Sequence, residues 1–141
     1  MDVVAVAMGV DGGMDEKGTK MKVVATSKDG LMESELDPHF GRAPKFILFD
    51  TVTGKASVHD NTQNLNAAQG AGIQSAETVV RLGGEAVITG NVGPKAFRAL
   101  NASGVRILLA PAGRTVRETI EALGKGELQE AAAATKEGHW M

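Results

Sequence analysis

The chain has 141 residues, with 15 lysines and arginines against 17 aspartates and glutamates, and it has no cysteine. This length suits one domain, and the net charge of -2 gives no bulk attraction to nucleic acid or to an anionic membrane. The lack of cysteine excludes disulfides and thiolate ligands, so side chains can bind a metal only through nitrogen, oxygen or methionine sulfur.

The first twenty residues have the composition of an extension. The apolar run "VVAVAMGV" is too short to span a bilayer, and a segment rich in glycine and charge follows it, as is typical of a linker. Acidic Asp2 stands where a signal peptide would be basic. We therefore expect a soluble cytoplasmic protein, with residues 1–20 either flexible or forming an added edge strand.

The first predicted strand, "KVVATS", follows Met21. A long loop leads to the strands "KFILFDT" and "KASVHDN", which the turn "VTGK" joins as an antiparallel hairpin. The spacing of apolar residues then becomes helical. Ile73, Ala76, Val79 and Val80 form an apolar stripe, and glycines end the helix after it.

The second half alternates strands with helices. The fourth strand is "EAVITG", a second helix starts at Pro94, and the fifth strand is "VRILLA". Thr115 and Glu118 predict a capping box at the start of a third helix. Residues 129–141 are expected to be a frayed helix or a disordered tail. This order predicts a three-layer α/β domain over residues 21–128, with a five-stranded mixed sheet flanked by helices.

Strand direction places several loops together. If the first strand runs upward, strands three, four and five also end at the top, where open α/β sheets bind ligands. Three helix N-termini, each preceded by glycine, point to that edge with unpaired N–H groups. Arg42, Lys95 and Arg114 lie near the same edge. The pattern indicates a site for an anionic ligand.

The segment "LDPHFGRA" supplies the only histidine in this context. Each feature alone has a structural explanation: glycines before helices make turns, Phe40 fits a core, Asp37 can cap a turn, and His39 can be a hydrogen-bonded loop residue. Their convergence on one edge favours binding.

Three segments carry a resemblance to a known family: "SELDPHFGRAPKFILFD", "GAGIQSAETVVRLGGEAVITGNVGPKAFRAL" and "GVRILLAPAGRTVRETIEALGKGEL". In order and spacing they resemble the dinitrogenase iron-molybdenum cofactor biosynthesis family, which includes NifX-like proteins and the carboxyl-terminal domain of NifB-like ones. The resemblance implies a ribonuclease H-like fold. It also implies a non-catalytic carrier of metal-sulfur clusters, either iron-molybdenum cofactor precursors or molybdenum-copper-sulfur clusters, with a donor or acceptor protein as a further partner.

The resemblance also implies which residues bind the cluster. They are His39, Phe40, Gly41, Arg42, Gly70, Ala71, Gly72, Thr89, Gly90, Asn91, Gly93 and Lys95, with His39 as the metal ligand. Met32 is a further candidate thioether ligand. A preassembled cluster brings its own sulfide, so a chain without cysteine can still bind it.

Two other functions remain open at this point. One is a metal-dependent nuclease or hydrolase, for which the candidate carboxylates are Asp29, Asp37, Asp50 and Asp60. The other is a regulatory or interaction module that binds a small anion or a protein without metal, since a fold does not fix a function.

Overall fold

A computed structural model describes residues 21–61 and 70–133, so the predicted extension over residues 1–20 lies outside the described part. The strands are β1 (Lys22–Ser27), β2 (Lys45–Asp50), β3 (Ala56–Asp60), β4 (Ala86–Thr89), β5 (Arg106–Leu109) and β6 (Gln129–Glu130). The helices are α1 (Ala71–Arg81), α2 (Pro94–Ala102) and α3 (Val116–Gly124), with a short 3-10 helix over Phe40–Arg42. No helix within these described ranges is long and apolar enough to cross a membrane.

The sheet has the order β3-β2-β1-β4-β5-β6. Strand β2 is antiparallel to β1 and β3, whereas β1, β4 and β5 are parallel. The carboxyl ends of β1, β3, β4 and β5 therefore share one edge, as strand direction predicted. The α/β class with a mixed sheet and three helices is confirmed.

The sheet has six strands, so the prediction of five is wrong. The prediction of a frayed helix or disordered tail after Leu128 also fails for Gln129–Glu130, which form β6 antiparallel to β5. The alanines that follow favour a helix, but β5 offers an unpaired edge. The Ala131 N–H donates to the Ile107 carbonyl at 2.8 Å, and Arg106 pairs with Glu130 at 3.1 Å. Tertiary pairing thus overrides local propensity.

The helices cover both faces of the sheet. On one face, α1 and α2 pack on a buried cluster that includes Val24, Phe46 and Val87. On the other face, Val116 and Leu123 of α3 pack on a second buried cluster with residues of β1, β2 and β4. The architecture has three layers, as predicted.

Helix α1 buries only part of the predicted stripe. Ala76 and Val79 are buried, but Ile73 and Val80 are 36% and 46% exposed. Ser75 is buried as well, because its hydroxyl accepts from the Asn61 amide nitrogen at 3.1 Å. This hydrogen bond joins the helix to the end of β3. The spacing of apolar residues along the helix could not indicate it.

The loop over residues 28–44 is attached to both helical layers. On the α3 side, the Leu36 N–H donates to the Arg114 carbonyl, and the Val116 N–H donates to the Ser34 carbonyl. On the other side, the Asn91 N–H donates to the Pro38 carbonyl at 2.8 Å. The loop therefore runs across the carboxyl edge of the sheet.

Gly90 permits this crossing. A Cβ atom at residue 90 would stand 2.9 Å from the Cα and 3.0 Å from the carbonyl oxygen of Pro38. Both contacts are with backbone or ring atoms that cannot rotate away. The residue must be glycine for the loop to lie this close to the end of β4.

We expect Gly90→Ala to lower the free energy of unfolding by about 1–3 kcal/mol, because the methyl group forces the loop off the sheet. Gly93→Ala is the matched control, since a Cβ there meets nothing within 4 Å and its φ is -77°. The control should cost only about 0.5 kcal/mol, as expected of glycine replacement at a helix N-cap. Urea unfolding of both variants checks this, and equal losses would contradict it.

The capping box of α3 is confirmed. The Glu118 N–H donates to the Thr115 hydroxyl at 3.1 Å, and the Thr115 N–H donates to the Glu118 carboxylate at 2.9 Å. Thr115→Ala should therefore destabilise the fold by about 1 kcal/mol, whereas Thr115→Ser should cost a few tenths. Thermal unfolding distinguishes the two, and an alanine variant as stable as the serine variant would show that the cap contributes little.

Candidate functional site

The candidate site lies where β1 and β4 end side by side. On its way to β2, the loop after β1 passes over the end of β4, as its backbone hydrogen bonds to Asn91 and Arg114 show. The motif of residues 37–42 crosses this point. The Phe40 N–H donates to the Asn91 carbonyl at 3.3 Å, and Asn91 donates back to Pro38.

Buried hydroxyls fix the start of the motif. The Asp37 N–H donates to the Thr26 carbonyl at 3.0 Å, and the Thr26 hydroxyl donates to the Asp37 carbonyl at 2.6 Å. The Thr89 hydroxyl lies 3.1 Å from that of Thr26, and both threonines are fully buried. Thr89, predicted as a binding residue, thus has its side chain in the support of the loop and not at the surface.

The two ring side chains of the motif have different environments. Phe40 is 1% exposed and stacks on Phe46, with ring centroids 5.8 Å apart. The His39 side chain is 51% exposed, and its Nδ1 lies 3.7 Å from the Asp37 carboxylate. Phe40 therefore anchors the loop in the core, and His39 remains available to a ligand.

The starts of α1 and α2 lie against this motif. A Cβ on Gly41 would stand 3.1 Å from the Gly72 Cα, and a Cβ on Gly72 would stand 3.0 Å from the Ala96 Cβ. The 3-10 helix thus packs on the backbone of the first turn of α1, and that turn packs on the Ala96 methyl group of α2. The structure brings together the predicted residues Gly41, Gly72, Asn91 and Ala71 with their neighbours.

These two helix starts carry positive partial charge that no side-chain cap or acidic first-turn residue offsets. Neither Gly70, the N-cap of α1, nor Gly93, the N-cap of α2, offers a side-chain cap, and neither first turn contains an acidic residue. Arg42 and Lys95 are exposed, and neither forms an ion pair within residues 21–61 and 70–133. The local chemistry suits an anion.

Two helix starts, not three, meet at the motif. The start of α3 is capped by its own Glu118 and pairs with residues 32–36 on the other face of the sheet. Arg114 belongs to that face, because its carbonyl accepts from the Leu36 N–H. All three helix starts lie at the predicted edge, but α3 begins on the other face of the sheet, because strand direction gives the edge and not the face.

Asn61 and the candidate ligand Met32 have structural roles. Asn61 is buried, and its amide nitrogen donates to the Ala43 carbonyl at 2.9 Å. Met32 packs against the buried cluster under α3. Among the residues that the structure describes, the side chains around the motif therefore offer one imidazole and two cations, with no sulfur ligand. This set fits a cluster that brings its own sulfide, and it does not fit a bare metal ion.

The four carboxylates proposed for a nuclease do not converge. Asp50 accepts from the Val52 and Thr53 N–H groups at the opposite end of the sheet, and Asp60 lies 3.8 Å from Lys45. The Leu31 N–H and then the Ser34 hydroxyl lower the pKa of Asp29 in its own turn. The described ranges contain no group of three histidine or acidic side chains able to hold a metal.

Similar solved structures share this architecture. The apo form of the orange protein from Desulfovibrio gigas is 34% identical, with a TM-score of 0.80, and the match covers 82% of this chain and 97% of that one. A Thermotoga protein provisionally designated NifB is 35% identical, with a TM-score of 0.73, and the match covers 84% and 99%.

A curated relative and a family model extend the comparison. An uncharacterized protein of Methanocaldococcus jannaschii is 29% identical over 99 residues, which cover 69% of this chain and 83% of that protein. The model described as "Dinitrogenase iron-molybdenum cofactor" matches residues 20–126, including the motif and both helix starts. The predicted resemblance is confirmed: the chain belongs to the dinitrogenase iron-molybdenum cofactor family.

Proposed function

We propose that the chain binds a preassembled, anionic metal-sulfur cluster at the crossing of the 28–44 loop and carries it without chemical conversion. The observation that supports this most is the exposed His39 beside two helix starts that have no capping side chain. Arg42 and Lys95, both without an ion pair in the described residues, add positive charge. Family membership supports a metal-sulfur cluster as the ligand class.

Different residues would make different kinds of contact with the cluster. The first-turn N–H groups of α1 and α2, together with Arg42 and Lys95, would donate charge-assisted hydrogen bonds to cluster sulfides. His39 would supply one coordinate bond through its imidazole. The cluster itself supplies all the sulfur. Because no thiolate anchors it, binding is reversible, as a carrier requires.

The finer identity of ligand and partners is part of the same proposal. The resemblance implies an iron-molybdenum cofactor precursor or a molybdenum-copper-sulfur cluster, and the similarity to an orange protein whose structure is described as its apo form supports a removable ligand. The strand order supports a ribonuclease H-like fold. We place the carrier in the cytoplasm, with a cluster donor or acceptor protein as partner.

Reconstitution tests the proposal directly. The purified chain, incubated without air with tetrathiomolybdate and copper, should retain metal through gel filtration and show charge-transfer bands in the visible spectrum. A parallel sample receives an iron-sulfur precursor. The proposal fails if the native chain retains neither cluster and its spectrum stays featureless.

His39→Ala should weaken cluster retention at least about tenfold, because it removes the one coordinate bond from the protein. His59→Ala is the matched control, since His59 lies in the edge strand β3, two strands from β1, and its ring contacts the Ser57 hydroxyl at 2.8 Å. Equal retention by both variants would remove His39 from the binding site.

Lys95→Gln should reduce the apparent affinity severalfold at low ionic strength, and the difference should shrink as salt screens the charge. Arg98→Gln is the control, because Arg98 is exposed on α2 but lies beyond its first turn. Titration of both variants at two salt concentrations measures the effect. An equal loss in both would indicate a general charge effect.

A protein-binding module is the second candidate function. A groove of about 220 Å³ lies between the carboxyl-terminal halves of α1 and α2, and its lining includes Val80, Arg81, Ala99 and Ser103. Val80 is 46% exposed there. This groove lies at the opposite ends of the two helices from the motif, so Val80→Ser should leave cluster retention unchanged.

A further inference from the structure

We propose that Asp37 is a positioning residue that sets the tautomer of His39. Its carboxylate favours the ring form in which Nδ1 carries the hydrogen, so that Nε2 keeps the lone pair for a metal. The use of that lone pair rests on the proposed function. The tautomer is a property of the chain alone and can be measured without any cluster.

Asp37 stands on a rigid support. Its residue is 7% exposed, and its backbone forms two hydrogen bonds with Thr26, which is fully buried in β1. These bonds fix the Asp37 backbone relative to the sheet, and the His39 N–H holds one oxygen of the carboxylate. A carboxylate with so little freedom can impose an orientation on a neighbour at little entropic cost.

One carboxylate oxygen of Asp37 lies near both the backbone N–H and the ring of His39. Oδ1 of Asp37 accepts the backbone N–H of His39 at 2.9 Å and lies 3.7 Å from Nδ1 of the ring. The first contact holds the turn that starts the 3-10 helix. Within residues 21–61 and 70–133, the ring has no other hydrogen bond or ion pair.

The negative charge of the Asp37 carboxylate near Nδ1 decides which tautomer of His39 is favoured. A neutral imidazole has one N–H and one lone pair, and the two nitrogens exchange these roles. A lone pair on Nδ1 would face the negative oxygen and be repelled, whereas an N–H on Nδ1 is attracted. At 3.7 Å the contact is longer than a standard hydrogen bond, so the attraction is electrostatic.

The tautomer that Asp37 favours is the less populated one in an isolated histidine side chain. Neutral histidine in water carries its hydrogen mainly on Nε2. Without Asp37, most molecules would have to move that hydrogen before Nε2 could bind a metal. Carboxylate partners of metal-binding histidines commonly prevent this by holding the hydrogen on the other nitrogen.

Long-range proton-nitrogen correlation NMR measures the tautomer in the nitrogen-15-labelled chain, free of metal, at a pH where the ring is neutral. The His39→Gln spectrum assigns the His39 signals by their loss. We expect the Nδ1–H form to exceed the Nε2–H form severalfold, because the charge of the Asp37 carboxylate attracts a hydrogen on Nδ1.

Two substitutions separate charge from structure. Asp37→Asn keeps an oxygen acceptor for the turn but removes the charge, so the ratio should fall severalfold. Asp37→Ala should reverse the ratio toward Nε2–H. The His59 tautomer serves as the internal control and should not change in either variant.

The inference is overturned if the native chain shows mainly Nε2–H at His39, or if Asp37→Asn leaves the ratio unchanged. The native spectrum decides even where Asp37→Ala fails to fold. A different pair of results would separate the two proposals. If the native chain shows Nδ1–H but His39→Ala retains the copper-thiomolybdate cluster fully, His39 has no metal-binding role. The tautomer inference would still hold.

Discussion

The structure depends on one close crossing, in which the backbone around Pro38 lies directly on Gly90 at the end of β4. This contact lets the loop after β1 reach over the neighbouring strand, exchange hydrogen bonds with Asn91 and press Gly41 against the first turn of α1. The starts of two helices, one imidazole and one arginine are thereby collected around a single point. A side chain at residue 90 would separate them.

Local signals in the sequence were sufficient for much of the fold. Pro94 marked the start of α2, Thr115 and Glu118 marked that of α3, and the hairpin turn fixed the direction of β3. Since strand direction then determines where each loop emerges, the edge that carries the site could also be predicted. These features depend on neighbours within a few residues.

Other features depend on distant partners and could not be predicted. Strand β6 forms because β5 has a free edge, α1 turns Ser75 inward because Asn61 reaches it, and Thr89 is buried because Thr26 lies beside it. The face on which α3 begins decided that its helix start does not join the motif. In each case a contact across the fold, and not the local period, determined the outcome.

The 28–44 loop is held mainly through its main chain. The bonds to Arg114, Val116, Arg117 and Asn91 all join backbone atoms, and side chains enter chiefly at Thr26, Asp37 and Phe40. The shape of the binding region is thus encoded by the path of the polypeptide, separately from the exposed groups that touch a ligand. In evolutionary terms, exposed positions such as residues 42 and 95 can vary in chemistry without loss of the scaffold, which makes this edge a suitable starting point for altering ligand preference by design.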